Sequence, residues 1–414
     1  MSKICPWLGL ACAFLSWTEA QAQTIWHYQD LVERVVAAHP AVKSAAWSAS
    51  QREAEWAAAQ AAGPLQANGF AMPALGGSDA MYWEGQIDQS ITPPGLARAR
   101  AAASVALAEL GQAAQASASQ AARLEVERLV LEWAGADARC GFWSENLDQT
   151  ESLLQWFSLR AAAGEARAMD AQAAQLQMRR ADHEYQVALL DRAEALSALR
   201  WLSGDSALTV EAVVLPPLEI PNDNFSEVLA NRMAMDARLS VLSADSAMAT
   251  RSAAMVAKSL LPRPTLGINV QGVPGEFFGG PVVGAVWPIA GARHAQEAAR
   301  VAAEASAWQL QSQRRALEME GERVWAKYTT RLAHHKEWSA QIESDRALTA
   351  NAVELLQQGI LDMPTFYILW QAELEGNLEL QACRQDILWL RAQFLLDPSD
   401  SHTSAQSTQL HSML

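Results

Sequence analysis

Two pairs of breakpoints in this chain recur at one interval. Gly95 and Gly291, each closing a Gly/Pro-rich stretch, lie 196 residues apart, and Gly164 and Gly359, each interrupting a long helical run, lie 195 apart. Matching offsets at two unrelated breaks identify an internal duplication, so one solution must serve two halves. The halves also agree in detail, because Leu159-Arg-Ala-Ala-Ala-Gly164 answers Glu354-Leu-Leu-Gln-Gln-Gly359.

Within each half, a short strand-like segment feeds a very long helical one. Leu266, Ile268 and Val270 alternate with Gly267, Asn269 and Gln271, a period of two that only a strand turns into two faces. A loop from Val273 to Gly280 and an apolar run from Pro281 to Ile289 complete a hairpin over 262–291, stopped by Pro288 and Gly291. The first half repeats this over 64–95: Leu65 to Met72, a loop from Pro73 to Ala80, then Tyr82 to Ile91 before Pro93-Pro94-Gly95. The run from Gly95 to Ala163 has 69 residues and no proline. At about 1.5 Å per residue it forms roughly 100 Å of helix, a length that indicates a coiled coil.

The expected organisation is a signal peptide at 1–22, a first repeat at 23–202, a linker at 203–225, a second repeat at 226–397 and a disordered tail at 398–414. The signal rests on Lys3, the apolar stretch Ile4 to Trp17 and the cleavage site Ala20-Gln21-Ala22. Lipidation at Cys12 is the alternative there, although Gly9-Leu10-Ala11 fits a lipobox poorly. The first repeat opens with a helix over 26–62 broken at His39-Pro40. The second opens with a helix over 226–260, and Thr209 to Val214 can form a short strand. No segment has about 18 consecutive apolar residues, so a membrane crossing must use strands. Cys140 and Cys383 remain after the signal, either paired or as two buried thiols, and the thiols are the simpler reading. A net charge of −15 excludes nucleic acid as a partner.

On the strands, Trp83, Ile87 and Ile91 share one face. The expected wet face holds Gln66, Asn68, Glu84, Gln86, Asp88, Asn269 and Gln271. Strands of about 9–11 residues with one apolar and one polar face fit a transmembrane barrel, and equally a two-faced sheet on a soluble core. In hydrocarbon four strands cannot close, so several chains must pool them, and a channel needs at least three chains.

With this layout in place the chain resembles the outer-membrane efflux proteins of the TolC type over residues 24–397. The resemblance rests on Leu31…His39-Pro40, on Gln89-Ser-Ile-Thr-Pro-Pro-Gly95, and on Pro264-Thr-Leu-Gly267 with Trp287-Pro-Ile-Ala-Gly291. It rests also on the two tips, Gly164-Glu-Ala-Arg-Ala-Met-Asp170 and Gly359-Ile-Leu-Asp-Met-Pro-Thr365. It implies a mainly α fold with a β-barrel part: a homotrimer with a 12-stranded barrel in outer-membrane lipid on a helical periplasmic barrel. The implied partners are a periplasmic adaptor and an inner-membrane pump, with no catalysis and no cofactor. Asp170, and less directly Asp362, are implied as pore-gate acids. Gly164 and Gly359 are tip turns, and Leu159, Arg160, Leu355 and Leu356 are candidates for adaptor docking. Trp83, Trp287, Phe277 and Phe278 are candidates for interfacial aromatic belts. No metal site is expected, since His334-His335 are adjacent on a helix and point apart. Protein secretion competes with small-molecule or metal efflux, and a soluble periplasmic adaptor is a further alternative. No G-x-S-x-G, phosphate loop or H-E-x-x-H points to an enzyme.

Overall fold

The computed structural model describes residues 25–60, 65–73, 81–218, 224–273, 275–286 and 291–394. The signal peptide, the tail, Trp287 and Pro288 lie outside the described residues.

Among the described residues fourteen elements fall into two sets of seven. The first is β1 (Ile25–His27), α1 (Tyr28–Ala38), α2 (Pro40–Gln60), β2 (Leu65–Pro73), β3 (Met81–Ser90), α3 (Pro94–Ala162) and α4 (Ala168–Ser203). The second is β4 (Ala212–Val214), α5 (Phe225–Met235), α6 (Ala237–Ser259), β5 (Arg263–Val273), β6 (Glu276–Val286), α7 (Ala292–Gln357) and α8 (Met363–Phe394). The first strands of the two sets pair with each other in parallel, Trp26 opposite Val213.

Two compact units cut across the repeats. One combines residues 1–40, 122–223 and 324–395, and the other 41–121, 224–323 and 396–414. The first unit is helical and its core follows a seven-residue period. On α4 one buried row is Ala174, Ala181, Ala188, Ala195 and Leu202, with Leu199 beside it. On α3 Ala136, Trp143, Thr150 and Phe157 form one such row, with Val126, Val130, Trp133 and Cys140 also buried on that helix. A strict heptad repeat keeps one seam facing the partner helix, which is the coiled-coil condition. Large side chains of α3 meet the alanines of α4: Trp143 packs with Ala181 and Ala188, and Trp133 with Ala195 and Leu199. Arg139–Asp191 at 2.7 Å and Arg192–Asp137 at 2.8 Å bridge the same two helices beside this seam.

Cys140 and Cys383 are free and buried in different clusters, one with Trp143 and the other with Tyr328 and Ile387. Burial pushes both thiols above their usual pKa.

Two expectations need correction. The helix over 226–260 is two helices, interrupted at Asp236, just as α1 and α2 are interrupted at His39. Pro40 forces His39 into extended backbone (ψ 129°). At the equivalent point Asp236 is extended (ψ 111°), and its carboxylate caps the new helix by accepting from the Arg238 N–H at 2.9 Å. A cap therefore replaces the proline of the first repeat. The loop over 273–280 is also shorter than expected: β6 begins at Glu276, leaving only Pro274 and Gly275 between the strands, and Gly275 has φ 91°. Phe277 to Gly280 belong to a strand, and Gly275 takes the left-handed backbone that glycine adopts without strain.

Ala181→Leu overfills the alanine seam and is expected to destabilise the folded chain by about 1–3 kcal/mol in chemical denaturation. Ala193→Leu, on the exposed face of the same helix, should stay within about 0.5 kcal/mol.

Candidate functional site

Two regions carry the candidate residues, and each lies inside one unit. The first is the four-stranded antiparallel sheet, ordered β2-β3-β5-β6. Its register puts Gln66 opposite Asp88, Asn68 opposite Gln86, Gln86 opposite Asn269 and Glu84 opposite Gln271. Directly opposed residues share a face, so all seven polar candidates lie on one side of the sheet. They bond there: Tyr82 donates its hydroxyl proton to Glu84 at 2.9 Å, Asn269 donates to the other Glu84 oxygen, and Gln86 donates to Asp88 at 3.4 Å.

The opposite face is apolar and open, with Leu65, Ile87, Leu266, Ile268 and Val283 all exposed. Neither β2 nor β6 has a second neighbour among the described residues. Pro281 is tolerated in β6 because an edge strand leaves one row of backbone groups unpaired.

The register also sorts the aromatic candidates. Phe277 pairs with Gly272 and contacts Trp83, ring centroids 5.9 Å apart, on the apolar face. Phe278 pairs with Gln271 and lies on the polar face, so the two phenylalanines cannot serve one belt. Period-two geometry sends adjacent strand residues to opposite sides.

The second region is the pair of helix tips. Both are built alike: the Glu165 N–H bonds the Arg160 carbonyl at 2.8 Å and the Ile360 N–H bonds the Leu355 carbonyl at 2.9 Å. Gly164 (φ 78°) and Gly359 (φ 73°) bond three residues back, to Ala161 and Leu356. This is the Schellman ending, which requires a left-handed residue that glycine supplies without strain. The tips share a core of Phe157, Ala174, Ala352, Leu356, Met363, Phe366 and Trp370.

That core removes Leu356 from the docking candidates, because it is 4% exposed and wedged among aromatic rings. Leu159 is 73% exposed and Leu355 partly so. Arg160 is held in place, its guanidinium 4.7 Å over the Trp156 ring and 3.4 Å from the Glu165 carboxylate.

Both acids feel the charge of Arg167, a residue that no motif singles out. Asp170 sits in the first turn of α4, 3.5 Å from Arg167, with its side chain only 17% exposed. Its negative charge, added to the larger effect of burial, raises the hydroxyl pKa of Tyr367 on α8. Asp362 caps α8, accepting from the Thr365 N–H at 3.3 Å. The Thr365 side chain, its backbone N–H and the nearby Arg167 charge hold the Asp362 carboxyl below its usual pKa. Arg167 thus lies within the electrostatic reach of both acids. Its spacing of three residues before Asp170 was the available signal.

Solved structures share this fold over most of the chain. The outer-membrane channel OprN superposes with a TM-score of 0.73 at 16% identity, covering 88% of this chain and 88% of that one. The CmeC outer membrane channel of Campylobacter jejuni gives 0.71 at 12% identity, covering 92% and 89%. The outer membrane protein VceC of Vibrio cholerae gives 0.66 at 15% identity, covering 88% and 92%. No protein-family model matches the sequence, and no curated protein matches it. This chain therefore has the fold of outer-membrane channels: long α-hairpins in duplicate, with one β-hairpin per repeat.

Gly359→Ala is expected to cost about 1 kcal/mol, the penalty of a left-handed Cβ, read as a lower unfolding midpoint. The Asp362 cap is at full strength above the ordinary carboxyl pKa and is lost as pH falls through the depressed folded value. Protease nicking at the tip should therefore rise in acid for the native chain, and Asp362→Asn should abolish that pH dependence.

Proposed function

We propose that this protein is the outer-membrane channel of a tripartite export system, passing small molecules or metal cations from a pump and adaptor to the cell exterior. The observation that carries this reading is the sheet. Among the described residues it has one polar face, one exposed apolar face and two open edges, a combination that four strands cannot sustain in lipid or in water. Three copies pooling twelve strands close the edges, turn the apolar face to lipid and enclose the polar face around a lumen. The described neighbours, named as outer-membrane channels, support the same reading.

In this reading the helical hairpins lie in the periplasm and their tips carry the gate. Asp170 and Asp362 supply negative charge there, tempered by Arg167. Leu159 and Leu355 beside the glycine turns offer exposed apolar contacts to an adaptor. The export signal at 1–22 accounts for delivery across the inner membrane, and the protein itself catalyses nothing.

Fractionation of expressing cells should recover the full chain in the outer membrane as a species three times the monomer mass. Recovery in the soluble periplasm would reject the proposal. In planar bilayers the channel should prefer cations, and Asp170→Ala should reduce that preference. Unchanged selectivity and conductance would remove Asp170 from the gate.

A further inference from the structure

The polar face of the sheet is not uniformly polar. Toward the 73–81 connection it carries Phe70, Met72 and Tyr82 beside Glu84, all on the side that also holds Gln271 and Asn269. The register pairs Phe70 with Glu84 and Met72 with Tyr82, so the four side chains occupy two adjacent rows. The rings of Phe70 and Tyr82 lie 5.8 Å apart, and Phe70 and Met72 are about half exposed on this face. A wet lumen wall does not call for a phenylalanine, a methionine and a tyrosine around one carboxylate.

Glu84 is fixed rather than free. One carboxylate oxygen accepts from the Tyr82 hydroxyl at 2.9 Å and the other from the Asn269 amide. These bonds hold a full negative charge at the edge of two aromatic rings. A hard metal cation asks for six or more oxygens, which one carboxylate with both oxygens engaged does not provide. A bulky, weakly hydrated organic cation asks for something else: an anionic counter-charge and polarisable surface, which Glu84, the ring faces and the Met72 thioether provide.

We infer that Phe70, Met72, Tyr82 and Glu84 form a binding patch on the lumen wall for organic cations bearing an aromatic body. The inference rests on the channel reading and names a substrate class for it. Each copy contributes one patch, so a permeating cation meets three equivalent stations. The binding is weak and reversible, as passage demands: the carboxylate attracts any cation, and the rings discriminate in favour of those with a flat apolar group.

The test uses the purified full chain in planar bilayers carrying potassium current. Benzyltriethylammonium is compared with tetraethylammonium as blocker, and the readout is the ratio of their blocking constants within one channel. The native channel should favour the benzyl compound by about tenfold, the scale of one aromatic–aromatic contact, since the cation–π attraction is common to both ammonium heads. Phe70→Leu, which keeps the bulk and removes the π face, should bring the ratio below about threefold. Glu84→Gln should weaken both blockers and leave the ratio in place. Equal block by the two compounds in the native channel, or a ratio untouched by Phe70→Leu, would overturn the patch while the channel reading stands. A native protein that inserts and carries no current would overturn both.

Discussion

The seven-residue seam between paired helices is the constraint on which the rest of this protein depends. Helices as long as α3 and α7 present far more surface than a globular core could cover, so each must bury its apolar stripe along a neighbour. Alanines at every seventh position of α4 let that helix approach closely, and the tryptophan and phenylalanine side chains of α3 fill the space between. Because 3.5 residues per turn falls short of the helical 3.6, the seam stays aligned only if the helices wind around each other. Ion pairs such as Arg139–Asp191 flank the seam in partly exposed positions and fix pairing more than they stabilise it.

The same economy governs the ends. A helix tip must close its last carbonyls in a small space while leaving a surface available. Both tips do this with one left-handed glycine and a shared aromatic core. The acids at these tips hold the local structure as well as carrying charge: Asp362 caps α8, and Asp170 leans on Arg167 next to Tyr367. A gate built from such residues is coupled to the folding of the tip, since moving either acid also disturbs a helix terminus.

The sheet follows the opposite logic. Among the described residues nothing covers its apolar face or its edges, so it is an unfinished object in one chain. Its fourfold polar and apolar layering is consistent down to the pairing of Gln66 with Asp88 and Gln86 with Asn269. Phe70, Met72, Tyr82 and Phe278 on the polar face depart from that layering, as do Val282 and Val286, and the aromatic group stands out as a place where something other than solvation shaped the sequence.

The sequence by itself determined the duplication, the two hairpins, the long proline-free helices and the side of each strand on which Glu84, Asp88 and Asn269 lie. Glycines, prolines and period-two alternation act through local backbone geometry, which is written in consecutive residues. Even the break at Asp236 was legible in principle, because His39 holds the equivalent place in the first repeat, although a cap is a quieter signal than a proline. Only the tertiary structure decided that Leu356 is core, that the two cysteines sit in separate clusters, that Arg167 serves both acids and that Phe70 meets Tyr82. Those facts depend on which distant segments are brought together, and packing between residues far apart in the chain leaves no period to read.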